Sequence, residues 1–390
     1  MRTAICYSQI TESFPAGENA ARTVVAELDG HSPDFLFLFT SVGHDIPEVM
    51  RGIQAICPDI PLCGCSGSGI ISHEGCDEAT HSLVLMAIAS TRVRFQPFIF
   101  PNLAKEPERI GTKIAKTLQA TLAETAKNRL LFLFTDGLTV NANALFRGLE
   151  GPLARHLDIV GGSAGNDFQG RSTYQFANGL VLSDAVAGVL VSGDFSYHIG
   201  VTHGSKPIGI FRTVTRAEKN LILEIDGQPA LYLLRDFIGA ERVRDFGHIL
   251  NLFELGEQFQ GQGYDEDIIN RAIIGVDKER GGIRLAVEIA EGTKVRITRR
   301  DMHLVLERTA RMARELLSFM HNADQAAYFY FNCSGRGSYL FGEPEPDVEV
   351  LRGQLGEGRK MIGFFTFGEF APVRGRNYFH NYTGIFVGME

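Results

Sequence analysis

The sequence predicts an α/β protein of two domains, the first built on an internal duplication of strand, helix, strand and Gly/Ser turn. Three observations carry this expectation. "FLFLFT" (Phe35 to Thr40) and "LLFLFT" (Leu130 to Thr135) are apolar until a terminal Thr, the pattern of strands covered on both faces. "PEVMRGIQAIC" and "ANALFRGLEGPLARH" follow them and read as helices. "LCGCSGSG" and "IVGGSAGN" then close the two copies with small-residue turns, so strands and turns recur at offsets of 95 and 97 residues.

The remaining elements follow in order. After each turn the chain returns to strand-like runs, "HSLVLMAIAS" and "DAVAGVLVSG". Between the copies "EPERIGTKIAKTLQATLAETAKN" reads as a long surface helix. The rhythm changes near Val214 to Asn220, which places a boundary between domains 1–218 and 219–390. In the second domain "GGIRLAVEIAEGTKVRIT" reads as a strand pair with a Gly turn. "LVLERTARMARELLSFM" carries apolar residues at helical spacing. "AAYFYFNCSGRG" reads as a buried strand entering a glycine turn, and the last thirty or so residues read as aromatic-rich strands.

Bulk properties exclude several classes. The net charge is -8 at pH 7 and no long Lys/Arg run occurs, which argues against a nucleic-acid surface. No apolar stretch reaches the roughly 18 residues of a membrane span, and the N-terminus lacks a signal-peptide core. Six cysteines in 390 residues are ordinary usage and not a disulfide framework. The expectation is a cytoplasmic protein.

Cys63, Cys65 and Cys76, with His73 or His81, invite a zinc reading. The spacing lacks paired knuckles, and the second copy has Val160 and Gly162 at the equivalent places, so no metal is expected. "GGSAG" matches the serine-hydrolase elbow at Ser163, with Asp184 and His203 available downstream. Cys65 and Cys333 are alternative nucleophiles. Neither phosphate-loop pattern occurs at the turns. The two turns, with Cys65, Ser66, Gly67, Ser163, Gly165 and Asn166, are candidates to line one pocket for a small polar ligand, because open α/β sheets place ligands after their strands.

His203 ends a strand beside glycine, where an imidazole can face a haem or metal; a solvated loop histidine is the plainer alternative. His380, in an aromatic strand, reads as a hydrogen-bonded core residue. Arg336 and Glu369 sit in Gly-flanked turns beside apolar strands, and with Cys333 and Asn381 they are further candidates for ligand binding. Arg336 either grips a ligand carboxylate or pairs with Glu369.

Those motifs carry a family resemblance. "CGCSGSGII", "GGSAGND", "GVTHGSKPIG", "VTRAEKNLILEIDGQPAL", "FNCSGRGSYLF", "GFFTFGEFAPV" and "HNYTG" occur in order, and the chain resembles a stand-alone FIST protein with N-terminal and C-terminal FIST domains. The resemblance implies a sensory, non-enzymatic protein that binds a small ligand and signals to a partner such as a histidine kinase. One branch of the family implies haem-based nitric oxide sensing, with haem b and His203 as candidate ligand; an amino-acid-sized carboxylate is the alternative ligand. A hydrolase using Ser163 or Cys65 is the enzymatic alternative.

Overall fold

The computed structural model describes residues 1–123, 126–153, 157–168, 170, 172–239, 252–259 and 268–390. The far ends of the helices read through 124–125 and 154–156 lie outside the described residues. One order of elements occurs three times. The first unit is β1 (Arg2–Ser8), α1 (Ser13–Glu27), β2 (Phe35–Thr40), α2 (Ile46–Ile56), β3 (Leu62–Ser66), a hairpin β4 (Ile70–Ser72) and β5 (Cys76–Asp77), and β6 (Leu83–Ala89). The second is β7 (Val93–Pro101), α3 (Pro107–Ala123), β8 (Asn128–Thr135), α4 (Ala142–Glu150), β9 (Ile159–Ser163), a hairpin β10 (Gln175–Ala177) and β11 (Leu180–Leu182), and β12 (Ala185–Gly193).

The third unit opens with β13 (Tyr197–His203) and is interrupted by an inserted sheet. That insert comprises β14 (Ser205–Glu218), β15 (Leu221–Ile225), β16 (Gln228–Pro229), α5 (Ala230–Ile238), β17 (Phe253–Gln258), β18 (Ile268–Arg271), β19 (Ile273–Asp277), β20 (Gly282–Leu285) and β21 (Lys294–Arg300). The unit resumes with α6 (Met302–Phe319), β22 (Ala327–Cys333), α7 (Ser338–Phe341), α8 (Glu345–Leu355), β23 (Lys360–Thr366), a hairpin β24 (Glu369–Val373) and β25 (Arg376–His380), and β26 (Thr383–Met389).

Each unit makes a sheet in which the two strands joined by a helix run parallel: β2 with β3, β8 with β9, β22 with β23. Each unit also gives its hairpin to a neighbour. The orders are β1-β6-β2-β3-β10-β11, β7-β12-β8-β9-β24-β25 and β13-β26-β22-β23-β4-β5. The exchange is cyclic, so three sheets close into one ring. The 218/219 division falls at the β14–β15 turn inside the insert, and two of the three ring sheets draw strands from both sides of it. The strand pair read in 281–298 is not a pair: β20 lies between β15 and β19, and β21 between β14 and β17.

Side-chain alternation explains the ring. Phe35, Phe37 and Phe39 point to the common axis, while Leu36 and Leu38 face the α1–α2 layer. β8 repeats this with Leu130, Phe132 and Phe134 inward and Leu131 and Leu133 outward. β22 repeats it with Ala327, Phe329 and Phe331 inward and Tyr328 and Tyr330 outward. Phe37, Phe132 and Phe329 meet on the axis, with ring centroids 5.1, 4.9 and 4.8 Å apart. The parallel partner strands approach so closely that only glycine fits. A Cβ on Gly64, Gly161 or Gly363 would lie 1.7, 2.2 or 1.8 Å from the carbonyl oxygen of Leu38, Leu133 or Tyr330.

Candidate functional site

The three turns that end β3, β9 and β23 form a clasp. The N–H of Gly165 donates to the Ser66 carbonyl, that of Phe367 to Ser163, and that of Ser68 to Phe365, at 2.9, 3.0 and 3.0 Å. These are equivalent bonds running once around the ring. The Ser66 hydroxyl donates to the Gly165 carbonyl at 2.7 Å, and the Thr135 and Ser163 hydroxyls are 2.9 Å apart. Asn166 holds its own loop through the carbonyls of Gly170 and Ser172 at 3.0 and 3.3 Å. Cys65, Ser66, Ser163 and Asn166 are all buried, and Gly67 and Gly165 pack against the neighbouring turns. Small residues here serve ring closure, buried and packed against the neighbouring turns.

The nucleophile readings fare likewise. An elbow serine must present its hydroxyl to substrate, whereas Ser163 is fully buried and engaged with Thr135. Burial pushes the Cys65 thiol well up, the opposite of an activated cysteine. Among the described residues no group of three His, Cys, Asp or Glu is placed to hold a metal ion.

A cavity of about 380 Å³ opens beside the clasp, between the ring and the inserted sheet. The loops after β8 and β22, the β25–β26 turn and the insert all contribute walls. Its mouth carries Leu138, Phe168, Ile274 and Tyr339, each about half exposed. Phe168 stacks obliquely on Tyr339 and Phe367 at 4.8 and 5.0 Å. Its inner wall carries Arg300, Cys333, Asn381 and Tyr382. Arg300, the last residue of β21, is 5% exposed. Its guanidinium lies 4.2 Å over the Tyr382 ring, one Nη donates to the Gly335 carbonyl, and its Nε has no hydrogen-bond partner. Asn381 Oδ1 accepts from the Ala272 N–H at 3.0 Å, tying ring to insert. The site therefore joins a buried cation to an apolar, aromatic mouth.

Of the sequence-derived candidates, Cys333 and Asn381 line this cavity. Arg336 does not, and its acidic partner is Asp347, not Glu369. It is fully buried and paired with Asp347 at 3.0 Å, and it also donates to the Thr202 carbonyl and the Thr309 hydroxyl. Glu369 stands behind Cys333, accepting from the Thr366 hydroxyl and from the Thr383 N–H. Burial pushes its carboxyl up to about 8, against opposing hydrogen bonds from Thr366, Thr383 and Cys333. Burial, then the nearby Glu369, pushes the Cys333 thiol up.

Glu369 makes stability fall with rising pH. In the unfolded chain it loses its proton near the ordinary value of 4.5, but in the fold it keeps it to about 8. Over that interval the folded state binds more protons, so stability declines as pH rises through it. His380, pushed down to about 3 by burial, opposes this only below its ordinary value of 6.5. Urea midpoints should therefore fall from about pH 6.5 to about pH 8.5, and Glu369→Gln should flatten the decline. Equal slopes in both proteins would contradict this role.

His203 is fully buried, with its Nδ1 accepting from the Ser205 N–H at 3.2 Å, and no histidine lines the cavity among the described residues. The other candidate axial donors there, Cys333 and Tyr382, are held protonated by burial. The donor set does not fit a haem. His380 is a core residue whose Nε2 lies 3.1 Å from the Ala371 carbonyl.

Sequence reasoning missed Arg300, Tyr382, Tyr339 and Phe168. "TRRDM" hides Arg300 beside an exposed Arg299, and strand alternation is the only signal separating them.

The FIST N domain family matches residues 34–228 and the FIST C domain family matches 230–372. An uncharacterized protein of Mycobacterium tuberculosis is 25% identical over 393 residues, covering 98% of both chains. An uncharacterized protein of Mycobacterium bovis is 25% identical over 394 residues, covering 98% of this chain and 97% of its own. An uncharacterized protein of Methanocaldococcus jannaschii is 26% identical over 228 residues, covering 57% of this chain and 43% of its own. The chain belongs to the FIST family, whose domains are associated with sensing and signalling, and carries the N and C domains in order.

Proposed function

We propose that this protein senses an amino-acid-sized organic carboxylate with an apolar body, without chemistry on it, and passes the signal to a protein partner such as a histidine kinase. The observation that carries this reading is Arg300: a buried guanidinium with an unpartnered Nε in the wall of a cavity whose mouth is aromatic. A guanidinium suits a carboxylate by charge and fork geometry. A volume of about 380 Å³ suits one small molecule. Because both ring and insert supply walls, a bound ligand favours the arrangement in which they are closed together, which is the differential affinity a sensor needs. The clasp residues and Arg336 have structural partners, which supports Arg300 rather than Arg336 as the anion-binding residue. Haem-based sensing gains no support from this lining.

The test is calorimetric titration of benzoate, phenylacetate and L-phenylalanine, with phenylacetamide as the uncharged control. At least one acid should bind, the amide should bind far more weakly, and Arg300→Gln should weaken the acid about 10- to 100-fold, the range for a hydrogen bond to a charged group. Acid and amide binding alike, or an unaffected Arg300→Gln variant, would refute it.

A further inference from the structure

Near Arg300, outside the cavity lining, lies another buried acid. Glu254 on β17 is fully buried. β17 and β14 flank β21, and Glu254 is in register with Thr298 while Ser205 is in register with Arg300. Glu254 and Arg300 are therefore diagonal neighbours on one sheet face. The Ser205 hydroxyl donates to Glu254 Oε1 and accepts from Asn270 Nδ2, the latter at 2.8 Å. Glu254 Oε2 and Asn270 Oδ1 have no partners.

Resting on the carboxylate reading above, we infer that Glu254 is the proton-carrying counter-ion of the site, so that an anion on Arg300 binds together with a proton on Glu254. The reason is charge balance. An ionised Glu254 neutralises Arg300 in the empty site. Adding a ligand carboxylate would leave one uncompensated buried negative charge, a costly arrangement. Taking up one proton on the unpartnered Oε2 restores neutrality. No bond other than O–H forms, and the proton comes from solvent.

The groups around Glu254 fit this role. Arg300, Arg336 and the hydroxyls of Ser205 and Thr298 favour its ionised form, while burial disfavours it more strongly and pushes it up to about 7. Tyr382 lies near it and stays protonated. On the same strand, Glu257 is already paired with Arg271 at 2.7 Å. Among the described residues Glu369, pushed up to about 8 by burial behind Cys333, is another titrating acid near the cavity and must be separated by experiment.

Phenylacetate stays ionised above about pH 6, so its own titration does not interfere. Its affinity for the wild-type protein should fall up to about tenfold per pH unit above about 7, and binding in two buffers of different ionisation heat should show proton uptake. Glu254→Gln should bind with a flat profile through about 7, whereas Glu369→Gln should keep the wild-type break there. A flat wild-type profile with no proton uptake, or an unchanged slope in Glu254→Gln, overturns the inference and leaves the carboxylate site standing. Should Glu254→Gln fail to fold, proton uptake measured in Glu369→Gln still decides, because its loss there would move the proton to Glu369 and overturn the inference. Failure of all three acids to bind at any pH overturns both readings.

Discussion

Asp347→Ala should lower stability by about 3–5 kcal/mol, the cost of stranding a buried charge. Asp347, at the start of α8, is fully buried. Its two oxygens accept from Arg336 Nε at 3.0 Å, Arg336 Nη2 at 3.2 Å, Thr309 at 2.6 Å, Tyr330 at 2.9 Å and Asn332 at 3.0 Å. Removing it leaves the Arg336 guanidinium without its counter-charge and several donors without acceptors. Arg336 also fixes the loop after β22 to the end of β13 through the Thr202 carbonyl, so the Cys333–Gly335 wall of the cavity should loosen with it. Urea denaturation measures the loss. Adding Arg336→Met to Asp347→Ala should recover part of it, because an apolar side chain tolerates that interior better than an unpaired cation. A loss below about 1 kcal/mol, or a double variant worse than the sum, would show that the pair does not hold this corner.

Phe132→Ala should cost about 3–5 kcal/mol, as for large-to-small changes in cores that cannot collapse. Phe132 touches Phe37 and Phe329 on the ring axis, one ring from each unit. Close glycine contacts tie the surrounding strands to their neighbours, which limits how far the core can collapse. The equivalent changes at Phe37 and Phe329 should cost similar amounts, because the three occupy equivalent places. A cost near that of a half-exposed phenylalanine would contradict the shared core.

Much of this architecture can be read in the sequence. The first two units are visible because "FLFLFT" and "LLFLFT" keep both alternating faces apolar and end in Thr. The third is concealed by chemistry and by distance. "YFYFNC" places Tyr328 and Tyr330 on the outer face, and the insert separates it from β13 by more than a hundred positions. Its inward Phe329 and Phe331 still carry the same period. The hairpin exchange is invisible because a three-residue strand has the same pattern whichever edge it joins. The Gly-Ser turns do follow strands, but sequence alone does not separate a turn that cradles a ligand from one that clasps a neighbouring turn. For Arg336, the choice between ligand and acid depended on Asp347, which arrives from a later helix. Arg300 was overlooked because its burial depends on Tyr382 and Gly335, remote in sequence.

The most direct measurement is a crystal structure of the full chain grown with the best-binding of the three acids. The carboxylate should lie within hydrogen-bonding distance of Arg300, with the ring toward Phe168 and Tyr339. An acid bound elsewhere, with Arg300 still packed between Tyr382 and Gly335 and no ligand beside it, would contradict the assignment of this cavity as the sensing site.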